Sequence, residues 1–195
     1  NLIPLKRLTA VDIAGGEPSY SRNTKKFLLN LPENVNRIRI NTNAFRFMTE
    51  LIPLLNKGIK IQITISLDGI GKIQEYMRWP IKWETVEQNL QKYKQYDIEL
   101  NTWTTVHALN IGDLENIIAY TTKNNIKHSW ALLEYPEVLN VKYSNHFTRA
   151  TNIPEQLKTQ VAIDSDNTVD LQLWTTKQDQ IRGIKLWDYY KENSQ

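Results

Sequence analysis

59-IKIQITISLDG-69 alternates apolar and polar residues without a break. Ile59, Ile61, Ile63, Ile65 and Leu67 fall on one side of an extended chain, and Lys60, Gln62, Thr64, Ser66 and Asp68 fall on the other, because successive side chains of a strand point to opposite faces. The stretch reads as a strand with one buried face and one face that is wet or ligand-filled. The same split recurs with Asn101 and Thr105 opposite Ile98 and Leu100, and with Arg39, Asn41 and Asn43 opposite Ile38 and Ile40. A parallel sheet covered on both faces reads as nearly continuous apolar runs, and a closed eight-stranded barrel fills its middle with branched apolar layers. Half-polar strands fit neither, so the pattern predicts a curved, incomplete barrel with a polar lumen.

Outward from this strand, strand-like and helix-like runs alternate, as repeated βα units around a parallel sheet do. Strands are expected at residues 8–14, 35–41, 59–67, 98–106 and 127–134, and helices at 24–31, 45–56, 83–93 and 113–124. Gly58 closes the second helix, since glycine enters the left-handed conformation that ends helices without steric cost. Beyond residue 137 the alternation fades: 153–162 reads as a short helix with Pro154 in its first turn, 169–173 as a brief strand and 177–191 as a final helix. The expected organisation is therefore a core at 1–136 and a mostly helical C-terminal extension at 137–195.

Composition narrows the function classes. The 195 residues are 41% hydrophobic and 23% charged, close to soluble globular averages and enough to bury a sizeable core. A formal charge of +3, from 24 Lys and Arg against 21 Asp and Glu, comes without a basic block, so charge alone indicates no nucleic-acid or membrane surface. No apolar run approaches the ~20 residues of a membrane span, and the N-terminus lacks the layout of a secretion signal. A cytoplasmic protein is expected. Cysteine is absent, which excludes disulfides, thiolate nucleophiles and cysteine-held metals within these residues. His107, His128 and His146 lack metal-ligand spacing.

In parallel α/β folds ligands sit where strand-to-helix loops converge, at the C-terminal ends of strands. Each informative motif here stands at such an end: Gly15-Gly16-Glu17-Pro18, Asn41-Thr42-Asn43-Ala44, Ser66-Leu67-Asp68-Gly69 and Thr104-Thr105-Val106. Paired glycines let backbone approach a ligand, and Glu17 can accept hydrogen bonds from an ammonium group; Pro18 fixes the loop's exit. Ser66 and Asp68 lie two apart and share a face, where they can grip a carboxylate and a diol. Each motif alone also reads as a turn or a helix cap. Arg78, in 75-EYMRWP-80, is an isolated cation able to pair with a ligand carboxylate, and an exposed arginine is the plainer reading. Trp103 shares the face of Asn101 and Thr105, where a large ring can line a pocket.

Taken together, Gly15-Gly16-Glu17-Pro18, Asn41-Thr42-Asn43, 65-ISLDG-69 and 102-TWTTVHALN-110 resemble, in order and spacing, the radical S-adenosylmethionine enzymes. More narrowly, residues 65–110 and the ending 177-KQDQIRGIKLWDYY-190 are similar to phage and metagenomic radical proteins with a small "twitch" accessory region. The resemblance covers residues 8–135 best. It implies an α/β fold, a partial (β/α)6 TIM-like barrel. It also implies that Gly15, Gly16 and Glu17, with Pro18, hold the amino group of S-adenosylmethionine, and that Ser66 and Asp68 contact its carboxylate and ribose. Arg78 matches a carboxylate-pairing arginine, Asn43 and Thr105 become lumen contacts, and the adenine is expected near residues 132–136.

The family's reaction needs a [4Fe-4S] cluster held by a Cys-x3-Cys-x2-Cys loop after the first strand, and this chain has no cysteine. The expectation is a fragment lacking the first βα unit, whose complete form would reductively cleave S-adenosylmethionine to a 5′-deoxyadenosyl radical that abstracts hydrogen from a peptide, nucleoside or small-molecule substrate. An electron donor such as a flavodoxin or ferredoxin is implied with it. As given, the chain is expected to be inactive, with no catalytic residue and no metal ligand of its own. Two alternatives stay open: a non-catalytic, cluster-free S-adenosylmethionine or nucleotide-binding module, and an unrelated partial barrel with a sugar-phosphate ligand. The second is weakened by the absence of a glycine-rich phosphate loop after the later strands.

Overall fold

The computed structural model describes residues 7–141, 168–183, 185 and 186. Its elements run β1 (Ala10–Ile13), α1 (Arg22–Leu29), β2 (Arg37–Thr42), α2 (Ile52–Asn56), β3 (Lys60–Ser66), α3 (Lys72–Met77), α4 (Trp83–Tyr93), β4 (Ile98–Val106), α5 (Leu114–Lys123), β5 (Lys127–Leu132) and α6 (Thr168–Arg182). Short 3-10 turns precede α2 (Thr49–Leu51) and α5 (Ile111–Asp113), and another stands at Glu137–Leu139. Five parallel strands form one sheet in the order β1-β2-β3-β4-β5. The register pairs Ile38 with Ile61, Ile40 with Ile63 and Thr42 with Ile65, and Val11 with Ile38.

The alternation read in the sequence governs burial. Along β2, Ile38, Ile40 and Thr42 are buried and Arg37, Arg39 and Asn41 exposed; along β3, Ile61, Ile63 and Ile65 are buried while Lys60 is exposed. Parallel register places like residues side by side, so a period of two in each strand becomes one continuous apolar face of the sheet. On the polar face Arg39 grips both carboxylate oxygens of Asp12 at 2.7 and 2.5 Å, and Gln62 donates to Glu99 at 2.9 Å.

The chain divides into two compact units, Asn1–Ser66 with Glu84–Thr102, and Leu67–Trp83 with Trp103–Gln195, so that β4 begins in one and ends in the other. In the first unit Leu28, Leu51, Leu54, Val86, Leu90 and Tyr93 join the strand isoleucines as buried side chains. The second unit has one cluster around Ile73, Tyr76, Ala108, Leu109, Leu139 and Leu186 and another around Val106, Ile111, Leu114 and Val141. Among the described residues no helix is long and apolar enough to cross a membrane.

Ser21 starts α1: its backbone is extended and its hydroxyl accepts the Thr24 N–H at 3.1 Å. Ser21→Ala is expected to cost about 1 kcal/mol, the usual value of such a cap, and to lower the melting temperature by roughly 2–4 °C for a chain of this size. A thermal melt of the variant beside the parent checks this.

Three expectations change. The helix expected over 45–56 forms only from Thr49, first as a 3-10 turn, because side chains of α4 take the backbone groups that a helix would use internally. Asn89 donates to the carbonyls of Ala44 and Phe45, and the Tyr93 hydroxyl accepts the Met48 N–H and donates to the Arg46 carbonyl. The brief strand expected at 169–173 lies inside α6. Its apolar residues misled: Leu173 is 64% and Ile181 59% exposed, while the polar Asp179 and Arg182 face α3, where Tyr76 donates to Asp179 at 2.7 Å and Arg182 donates to the Tyr76 carbonyl at 2.7 Å. Helix α3 was not expected at all. The short helix expected at 153–162 lies outside the described residues.

Candidate functional site

In the first unit, β1 delivers the chain into Gly15 and Gly16, both left-handed at φ 93° and 57°. A Cβ built on either would meet nothing within 4 Å, so the backbone conformation, not crowding, requires glycine there. Glu17 follows, and its carboxylate is largely committed. Oε1 accepts the Ser19 N–H at 2.9 Å and the Thr42 hydroxyl at 2.5 Å, and Oε2 accepts the Asn43 N–H at 2.8 Å. A carboxylate offers about four acceptor positions, so little more than one remains. Glu17 thus ties the loop after β1 to the loop after β2. Thr42 continues the tie by accepting the Ala44 N–H, and Asn43 caps its own turn by accepting the Phe45 N–H at 3.0 Å. Pro18 is buried and Asn43 half-buried; Ser66, the last residue of β3, is half-buried.

In the second unit the sequence-derived residues meet directly. Asp68 is 7% exposed; its Oδ2 lies 2.5 Å from Arg78 Nη2, and its Oδ1 accepts the Thr105 N–H at 3.3 Å. Burial pushes the Asp68 carboxyl above its ordinary range, against the opposing pull of Arg78 and of the Thr105 N–H. The neighbouring backbone is pinned on every side. Gln74 Oε1 accepts the Asp68 N–H at 2.8 Å, the Leu67 N–H reaches the Trp103 carbonyl at 2.9 Å, and Thr104 donates to the Leu67 carbonyl. Asp113 accepts the Ile70 N–H at 2.6 Å and is held by Asn116.

The end of β4 is locked in the same manner. Asn110 accepts the His107 N–H at 2.8 Å and donates to the Thr105 carbonyl at 3.1 Å. His107 Nδ1 accepts the Leu109 N–H at 3.2 Å, which assigns the ring proton to Nε2. Burial, then the charge of Arg78, depress the His107 pKa to about 4. Trp103 is 41% exposed on the half-polar face, and Tyr135, at the far end of the segment expected near adenine, is 84% exposed.

Arg78 carries the feature that points to a ligand. Its Nε is buried with no acceptor among the described residues, and a buried donor left unpaired costs about 1–3 kcal/mol. Both aligned donors of a guanidinium edge match a carboxylate, and here only one is used. The arrangement thus suits a molecule bearing a carboxylate beside hydroxyl donors. Among the described residues no cluster of His, Asp and Glu is arranged to hold a metal ion.

Reading residue types alone missed Gln74, His107, Asn110 and Asp113 as parts of this network. The available signal was local: Asn and Asp just past a strand commonly bind backbone N–H groups, and both stand in 107-HALNIGD-113.

These loops follow the parallel strands of an α/β fold. The chain belongs to the radical SAM superfamily, whose family model matches residues 3–121, more than half of its length. A solved structure described as native anSMEcpe with bound AdoMet shares the fold, with a TM-score of 0.53 at 15% identity; the match covers 83% of this chain and 52% of that one. An alignment over 117 residues, covering 58% of the chain, is 31% identical to part of the Mediator of RNA polymerase II transcription subunit 13 of Dictyostelium discoideum. The chain thus spans about half of the solved relative and 4% of the Mediator subunit.

Proposed function

We propose that this chain binds S-adenosylmethionine as the cofactor-holding part of a radical enzyme. The single observation that carries the reading, beside family membership, is the buried Arg78 edge with one donor unspent next to Asp68. In this reading Gly15 and Gly16 present backbone to the methionine amino group, and Glu17 with Pro18 and Asn43 keeps that loop in shape. In the second unit Arg78 takes the carboxylate, Asp68 takes the ribose diol, and Thr105 orients Asp68 through its N–H; Ser66 is proposed as a further carboxylate contact at the end of β3. The residues fit S-adenosylmethionine. They do not fit the [4Fe-4S] cluster, because no thiolate exists among them, and the roles proposed for this chain stop at binding.

For a complete polypeptide supplying the cluster ligands, reductive cleavage of S-adenosylmethionine would generate the 5′-deoxyadenosyl radical, with a flavodoxin or ferredoxin as electron donor and a peptide, nucleoside or small molecule as substrate. Residues 137–195 are proposed as an accessory extension to that core. A second reading, a cluster-free binding module, is favoured by one observation, the absence of cysteine. Anaerobic reconstitution of the polypeptide encoded by the whole reading frame separates the two: 5′-deoxyadenosine is the product of the first and is absent in the second.

Calorimetric titration of the chain tests the reading common to both. Saturable binding of S-adenosylmethionine is expected, weakened about tenfold or more in Asp68→Ala, since a hydrogen bond to a charged group is worth roughly 1.5–3 kcal/mol. Silence toward both S-adenosylmethionine and S-adenosylhomocysteine would sink it.

A further inference from the structure

We infer that Arg46 is a positioning residue: seated on the buried Glu50, it fastens the loop after β1 at Ser19, so that Gly15 and Gly16 are held in place to recognise a protonated amine. The inference rests on the cofactor reading above and extends it to a side chain that acts on the loop rather than on the ligand.

The loop needs support from outside itself. Ala14, Gly15 and Gly16 are exposed, and a Cβ on either glycine would meet nothing within 4 Å, so packing does not set their shape. Glycine also has more backbone freedom to lose than any other residue. The loop is held instead where it turns inward, at the buried Pro18 and Ser19. Glu17 ties its near side to the end of β2, and Arg46 ties its far side, with Nε donating to the Ser19 carbonyl at 2.5 Å.

Arg46 is itself held from several directions. Nη2 donates to Glu50 Oε1 at 2.9 Å and Nη1 to the Phe47 carbonyl at 3.4 Å, while the Arg46 carbonyl accepts the Tyr93 hydroxyl at 3.3 Å. Just before it, Ala44 is buried and left-handed at φ 56°. A residue other than glycine keeps that conformation only where its surroundings over-determine it, and here Thr42 accepts the Ala44 N–H while Asn89 donates to the Ala44 carbonyl. The segment presenting Arg46 is thus fixed by Asn89 and Tyr93 of α4, and the planar guanidinium passes that fixed geometry on to the loop.

Glu50 supplies the matching charge. Its side chain is 2% exposed, and Oε1 serves both Arg46 and, at 3.4 Å, Lys25. Oε2 is buried with no donor among the described residues. Burial pulls the carboxyl up, but the hydrogen bonds it accepts, that of Arg46 foremost, leave it below its ordinary range. With an ionised Glu50 beside it, Arg46 holds a loop carbonyl while adding little net positive charge near a site proposed for an ammonium group.

The test uses the whole chain and calorimetry with S-adenosylmethionine and its deaminated analogue, which keeps the sulfonium, carboxylate and diol. The parent should prefer the amine-bearing ligand by about 10- to 100-fold, the worth of a hydrogen bond to a charged group. Arg46→Met keeps an unbranched stem and removes every donor; it should weaken S-adenosylmethionine about tenfold or more and leave the affinity for the analogue unchanged. An equal loss for both ligands would overturn the positioning role, because a general loosening of the fold does not sense the amine. Unchanged binding of both ligands, or a parent that does not distinguish them, would overturn it as well.

Arg46→Met leaves Glu50 buried with Lys25 alone, and a buried charge stripped of its partner is strongly destabilising. The double variant Arg46→Met with Glu50→Gln removes that charge and carries the same comparison of ligands, with the same expected and overturning results. Failure of the parent to bind S-adenosylmethionine at all is a different result, which removes the cofactor reading and the positioning role with it.

Discussion

Gly69→Val is expected to destabilise the second unit by about 3 kcal/mol, at the upper end of the usual cost of overpacking, and to abolish ligand binding with it. A Cβ at Gly69 would lie 2.5 Å from Ile73 Cγ2 and 2.8 Å from both Ile73 Cβ and the Gln74 backbone nitrogen. None of these can yield cheaply. Ile73 is 1% exposed within a packed cluster, and the Gln74 nitrogen belongs to α3, so relief requires moving the helix. Its displacement would pull Gln74 away from the Asp68 N–H and shift Arg78, which caps the same helix. Gly58→Ala is the control: it has open space around its Cβ but a left-handed φ of 78°, and should cost only about 1–2 kcal/mol, the strain of an L-residue in that region. Urea unfolding of both variants checks the pair; a Gly69→Val protein as stable as the control would refute the crowding argument.

Acid should destabilise the protein through His107, by roughly 3 kcal/mol at most between pH 6.5 and 4 when the gap is converted at 1.36 kcal/mol per pH unit. The folded pKa is about 4 against an ordinary 6.5, lowered by burial and then by Arg78. In that window the unfolded chain binds a proton at His107 and the folded chain does not, so stability falls as pH falls and is fully present above pH 6.5. Asp68 and Asp113 act in the opposite direction: burial raises both, so the folded state keeps their protons longer as pH rises and each favours folding on the acid side. His107→Asn isolates the histidine contribution, because its Oδ1 can replace Nδ1 as acceptor for the Leu109 N–H without titrating. Its stability should change less than the parent's between pH 6.5 and 4 in denaturant titrations, and an identical pH profile would rule out His107 as the source.

Much of the site was legible in the chain, for reasons that also mark where legibility ended. Glu17, Asn43, Asp68 and Thr105 stand at strand ends, and strand ends follow from a periodicity that any extended segment displays. What each carboxylate would bond to was not legible. Glu17 was expected to face a ligand ammonium, yet Ser19, Thr42 and Asn43 engage most of its oxygens. Arg78 read as an exposed cation or a ligand contact; its partner in the structure is Asp68, across an unexpected α3 that turns a ten-residue separation into a 2.5 Å contact. The error in α6 has the same root. Its packed side mixes Trp174, set against the apolar cluster, with Asp179 and Arg182 on Tyr76, while Leu173 and Ile181 are exposed, so hydropathy alone did not mark that side.

By itself, the sequence determined the parallel α/β class, the strands with their buried and polar faces, and the absence of any thiolate. These depend on side-chain alternation and composition, which are properties of neighbouring residues. Only the tertiary structure decided that Asp68, Arg78 and Thr105 meet, that Asn110 and Asp113 pin the surrounding loops, and that one Arg78 donor remains buried and unspent. Those facts depend on the path of the backbone between distant residues, and a polar group chooses its partner only after packing has brought the alternatives within reach.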